Sequence, residues 1–117
     1  MKLTGKIVHG KGRGEGLGVP TLNLELQPDL EEGVYAVRIL LEGKWYGGVM
    51  NFGPRPTFNE SKKTLEVNVF NFEGDVYGEE AEIEVLDKLR DVMKFDSKEN
   101  LVNQIKKDVS EAKRIVL

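Results

Sequence analysis

Thr21 and Asn23 stand two residues apart directly after Pro20, at the start of a β-branched and aliphatic run. Proline fixes φ where the run begins, and strand alternation then points Thr21 and Asn23 to one face. A hydroxyl and an amide side by side are a donor set for hydrated Mg²⁺ and the phosphates it bridges, although such residues also commonly satisfy turn hydrogen bonds. Downstream, Leu65-Glu66-Val67-Asn68-Val69-Phe70 alternates in the same way, with Glu66, Asn68 and Phe70 sharing a face. A carboxylate set beside a polar residue and an aromatic could act as general base toward a hydroxyl; a solvated strand glutamate is the plain alternative.

The segment before Thr21 is the most unusual part of the composition. Five of the 13 glycines fall at alternate positions, Gly10, Gly12, Gly14, Gly16 and Gly18, interleaved with Lys11 and Arg13. Alternate glycines leave backbone N–H groups unobstructed, as a loop wrapped around phosphate oxygens requires. The spacing is neither that of a P-loop nor that of a dinucleotide-binding turn, and a flexible hairpin loop would have the same glycine content. Two further places carry candidate chemistry. Arg55, in the proline-bracketed turn Gly53-Pro54-Arg55-Pro56, could meet phosphate. Arg90-Asp91 ends the last strand-like run, either as a structural ion pair or as a contact for a planar heterocycle.

These residues need a scaffold, and its size is bounded. A chain of 117 residues with 39% hydrophobic side chains fits one domain with a single core, spanning residues 1–117. Strand signals run near Leu3–Val8, Thr21–Leu26, Val34–Leu41, Lys44–Asn51, Thr64–Phe72 and Ala81–Lys88. Glu42-Gly43 reads as a tight hairpin, and Gly74 supplies positive φ within Glu73-Gly74-Asp75. Leu101, Ile105, Val109, Ala112 and Val116 form one stripe of an amphipathic helix that Ser97 or Asp96 can cap. Several strands with short connections suggest a barrel or a sandwich, and one helix after them, without alternation, predicts a mainly β fold with the C-terminal helix packed on one side of an antiparallel barrel.

Charge and cysteine usage narrow the function classes. Seventeen basic and 20 acidic residues give −3, so no overall positive field gathers nucleic acid or anionic membrane. Residues 1–18 nonetheless carry Lys2, Lys6, Lys11 and Arg13 against Glu15, and an anionic ligand would favour that end. With no cysteine and with His9 as the lone histidine, disulfides and thiolate metal sites are excluded, and a catalytic triad would rest on His9 alone. No apolar run approaches the ~20 residues of a membrane span, and no signal-peptide pattern opens the chain, so a cytoplasmic protein is the expectation.

Together these segments resemble the riboflavin kinase family, the flavokinase domain found alone or at the C-terminal end of bacterial bifunctional flavokinase/FAD synthetases. The resemblance runs in order along nearly the whole chain. It passes through Gly5 to Gly10, Leu17-Gly18-Val19-Pro20-Thr21-Leu22-Asn23, Gly33-Val34-Tyr35-Ala36, Gly48-Val49-Met50-Asn51-Phe52-Gly53, Pro56-Thr57-Phe58, Glu66, Asp75-Val76-Tyr77-Gly78, and Arg90 through Phe95. It implies a six-stranded Greek-key barrel that transfers the ATP γ-phosphate to the ribityl 5′-hydroxyl of riboflavin, giving FMN and ADP.

Carried over by residue, the resemblance implies that Thr21 coordinates Mg²⁺, Asn23 supports metal and phosphates, and Glu66 is the base. Gly10, Lys11, Gly12, Arg13, Gly14, Gly16, Gly18 and Pro20 would belong to a phosphate-covering flap, and residues 55–63 to a second flap. Arg90, Asp91 and Leu101 would border the flavin ring. Three positions depart from the family pattern. Glu15 stands where arginine is frequent, Asn68 where histidine is frequent two residues beyond the base, and Leu22 where the signature has alanine, on the face opposite Thr21 and Asn23. The adenylyl-transfer half of bifunctional members needs a nucleotide fold and a histidine motif for which this chain has no room. The expected partners are small molecules, riboflavin and ATP (or CTP, used by flavokinases of another lineage), without nucleic acid or membrane. The chain would be a monomer or part of a larger bifunctional protein. The alternative from another class is a non-catalytic small barrel that binds flavin or a protein.

Overall fold

A computed structural model of the chain describes residues 1–8, 21–26, 28–55, 60–72 and 74–116, with the backbone alone at 54–55 and 60–64. Six strands and one helix follow in chain order: β1 (Lys2–Val8), β2 (Thr21–Glu25), β3 (Gly33–Leu41), β4 (Lys44–Arg55), β5 (Glu60–Val69), β6 (Glu80–Arg90) and α1 (Lys98–Val116). All pairings are antiparallel, and the sheet closes on itself in the order β1-β2-β5-β4-β3-β6. Strands β3, β4 and β5 follow one another as neighbours while β2 lies beside β5, which is a Greek key. Closure leaves no free sheet edge to be managed.

Local sequence accounts for the elements. The β3–β4 hairpin turns on Glu42 (φ 50°) and Gly43 (φ 79°), both left-handed as a two-residue turn matched to strand twist requires. Gly74 takes φ 141° as its position demands. Ser97 caps α1, its Oγ accepting the Asn100 N–H at 3.1 Å. β5 begins earlier than the alternation predicts and ends at Val69 rather than Phe72, because Asn71 turns left-handed (φ 57°). β4 runs on to Arg55, past the predicted end at Asn51.

Alternation sorts the strands into two cores. Ile7, Leu22, Leu24, Val37, Ile39, Met50, Phe52, Leu65, Val67, Val69 and Ile83 fill the barrel interior. Outside the wall, Val34, Ala36, Val49 and Phe70 receive Ala112 and Val116 of α1. Each aliphatic side chain so buried contributes about 1.5–3 kcal/mol, and the second core is what fastens the helix. Pairing of β6 with β3 skips Leu86 and Leu89, and these two bulge residues both pack into the helix-side core. Two extra residues thus re-aim the end of β6, which plain alternation would have kept facing the interior at Leu89.

Candidate active site

The polar residues of β2 and β5 meet on the outer wall. Thr21 lies opposite Asn68, and Asn23 opposite Glu66. Leu22 between them and Leu24 after them turn inward at 5% exposure, so the leucine in the signature position does face away from Thr21 and Asn23. On its other side Glu66 is paired with Asn51 of β4. Asn23, Glu66 and Asn51 therefore form one row across three strands, and Thr21 and Asn68 lie in the row two residues along. Asn51 lies within one of the motifs that carry the resemblance, but nothing in the sequence set it beside Glu66, because cross-strand neighbours are set by register and not by proximity in the chain.

Glu66 is 8% exposed. A solvated strand glutamate is thereby ruled out, since carboxylates are seldom so buried unless something holds them. Among the described residues no buried side-chain nitrogen or oxygen lacks a hydrogen-bond partner. Next to it, the Thr21 hydroxyl donates to Asn68 Oδ1 at 2.8 Å. Phe70, on the same face, is buried with the Lys113 ammonium 5.4 Å above its ring.

The donor set suits Mg²⁺. Thr21 and Asn23 are half-buried neutral oxygen donors on one face, and no cluster of three or more His, Cys, Asp or Glu side chains forms among the described residues. A small hard cation that keeps several waters and leans on substrate phosphates needs no more than that from the protein.

The expected flavin-side residues stand apart from this group. The row Asn23, Glu66, Asn51 continues under α1 through Val34 to Arg90, so Arg90 lies three strands, roughly 14 Å along the wall, from Glu66. Its guanidinium is bound to Asp108 of α1, with Nη2 at 2.8 Å from Oδ2 and Nε at 3.0 Å from Oδ1. Nη1 donates to the Asp91 carbonyl at 3.0 Å, and the Phe95 ring lies 5.9 Å away. Arg90 does form a structural ion pair, but with Asp108 and not with its chain neighbour. The Asp91 carboxylate pairs instead with Lys88 at 2.7 Å, which holds it below the usual aspartate range. Leu101 is half-buried in the first turn of α1. The Asp108 partnership had a legible sign: an acid sits on the apolar stripe, between Ile105 and Ala112.

The glycine segment with Gly10, Lys11, Gly12, Arg13, Gly14, Gly16, Gly18 and Pro20, together with His9 and Glu15, lies outside the described residues. So do positions 56–59 of the second expected flap and the side chain of Arg55.

What the fold and wall define is a closed six-stranded Greek-key barrel with a helix on its outside and a buried carboxylate among polar residues beside it. The chain belongs to the riboflavin kinase (flavokinase) family, whose model matches residues 1–116. It is 40% identical over 115 residues to the bifunctional riboflavin kinase/FMN adenylyltransferase of Haemophilus influenzae, covering 96% of this chain and 37% of that one. It is 43% identical over 110 residues to the RNA-binding riboflavin kinase RibR of Bacillus subtilis, covering 92% of this chain and 48% of the relative. The chain thus spans less than half the length of these relatives. Among solved structures, the riboflavin kinase of Trypanosoma brucei superposes with a TM-score of 0.66 at 25% identity, covering 98% of this chain and 78% of that one. Among the described residues no helix is long and apolar enough to cross a membrane.

Proposed function

We propose that this chain phosphorylates riboflavin, transferring the γ-phosphate of ATP to the ribityl 5′-hydroxyl to give FMN and ADP. The observation that carries the reading is the buried Glu66, set in register between Asn23 and Asn51 and one row from Thr21. Phosphoryl transfer asks mainly for positioning and charge neutralisation, so one base and a few oxygen donors suffice without histidine or cysteine.

Glu66 accepts the 5′-hydroxyl proton as that oxygen bonds to the γ-phosphorus and the bridge to the β-phosphate breaks, releasing ADP. Thr21 and Asn23 would hold Mg²⁺, which would supply neutralisation of the charge on the phosphates. The low exposure of Glu66 keeps water from competing with the substrate hydroxyl. The family resemblance assigns Lys11, Arg13 and the glycines around them to phosphate binding, and Arg90, Asp91 and Leu101 to the flavin side.

The partners in this reading are small molecules, and the setting is the cytoplasm. The RNA binding in the name of the B. subtilis relative belongs to that protein, of which this chain covers 48%. The deciding experiment incubates the purified chain with riboflavin, Mg²⁺ and ATP or CTP in turn and looks for FMN by chromatography. FMN with one donor supports the reading and fixes the nucleotide; flavin binding without FMN from either donor would leave a non-catalytic barrel.

A further inference from the structure

We propose that Asn68 is a positioning residue for the metal: it orients the Thr21 hydroxyl so that oxygen lone pairs, and not the hydrogen, face the cation. The inference rests on Thr21 being a metal ligand, as proposed above. A threonine hydroxyl has one hydrogen and two lone pairs on a freely turning bond. A cation accepts only the lone pairs, so a rotor left to turn presents the wrong atom part of the time.

The structure gives that hydrogen an acceptor. Thr21 Oγ1 donates to Asn68 Oδ1 at 2.8 Å, across 47 residues of chain, and the two residues are direct partners in the β2–β5 register. The amide oxygen can only accept, so the direction of the bond is set by chemistry. The other register neighbour of Asn68, Val49 of β4, has no polar side-chain atom to draw the amide elsewhere. Asn68 is half-buried on a strand closed into the barrel. Partners that orient a metal ligand through a hydrogen bond commonly set about 10–100-fold of metal affinity.

The test reads metal binding directly, by electron paramagnetic resonance of Mn²⁺ titrated into the full chain with ADP present. Asn68→Leu keeps the outline of asparagine without its acceptor, Asn68→Ala is the second variant, and circular dichroism melting confirms that each is folded. Both should weaken Mn²⁺ binding about tenfold. Thr21→Val should weaken it at least as much, and adding Asn68→Leu to Thr21→Val should do no further harm, because the amide acts only through the hydroxyl. Asn68→Asp, which keeps an acceptor, should bind near the wild-type level when Thr21 is present and fail to rescue the Thr21→Val background.

Wild-type Mn²⁺ binding by Asn68→Leu and Asn68→Ala, with Thr21→Val impaired, overturns the positioning role and leaves the metal assignment standing. Additive losses in the double variant overturn it too. Wild-type binding by Thr21→Val overturns the metal assignment itself, and the positioning role with it.

Discussion

Arg90, at the end of β6, grips Asp108 in the middle of α1 through a two-pronged ion pair buried to 16% and 5% side-chain exposure. Gln104, one turn earlier on the helix, donates to Asp108 Oδ1 at 3.1 Å, so the carboxylate is held from both sides. The helix is therefore fastened by charge at its middle and by apolar packing at Ala112 and Val116.

Breaking the pair from one side should cost far more than replacing it. Asp108→Ala leaves Arg90 buried without its carboxylate, and urea unfolding should show a loss of about 3 kcal/mol. Asp108→Leu combined with Arg90→Met should recover most of that loss, because a well-packed apolar pair carries no desolvation cost. A double variant as unstable as Asp108→Ala would contradict this account.

The apolar fastening can be tested at Gly47. A Cβ there would lie 2.6 Å from Cγ2 of Val116, the last residue of the helix, and 3.2 Å from Phe70 Cδ2, both short or rigid side chains. Gly47→Ala should destabilise by about 1–3 kcal/mol. Hydrogen exchange should quicken in α1 before it does in β1; unchanged protection of α1 would show that the helix end is not seated on this glycine.

At the proposed base, Glu66→Gln should lower turnover of riboflavin to FMN by about 10²–10⁴-fold while the melting curve stays close to wild type. Glutamine keeps the shape and one acceptor oxygen but cannot take the 5′-hydroxyl proton. Turnover at the wild-type rate would remove Glu66 from the mechanism.

The pH dependence should show an acid and an alkaline limb from groups at one end of the barrel. Lys88 holds the Asp91 carboxyl below its ordinary value of 3.8, so the stability Asp91 contributes is complete above that value and is lost as pH falls through the lowered one. Asp91, and then Glu31, raise Lys88 above 10.5, while burial raises Tyr35 above 10.0. Those contributions are complete below the ordinary values and are lost as pH rises through the raised ones. Lys88→Ala should move the Asp91 titration, followed by NMR, back up toward 3.8. An unmoved titration would break the link between the two.

Most of the fold was legible in the chain because its signals are local. Period-two alternation located all six strands, Glu42-Gly43 its hairpin, and the stripe from Leu101 to Val116 the helix, since each depends on residues within reach of one another along the backbone. The exceptions are tertiary. Leu86 and Leu89 break the alternation of β6 because α1 offers them a second core, and β5 stops at Val69 because the chain must turn at Asn71.

At the site, the chain's residue types already mark the groups fit for phosphoryl chemistry, and strand period assigns the face of its own strand on which each projects: Thr21 with Asn23, and Glu66 with Asn68. Residue type and strand period suffice for that. Only the tertiary structure decided that these two faces are one surface, that Asn51 joins Glu66 there, that Glu66 is buried, and that Arg90 answers to Asp108. The physical reason is register. The β2–β5 pairing joins residues more than 40 positions apart, and a slip of one residue would turn every one of these side chains to the other face.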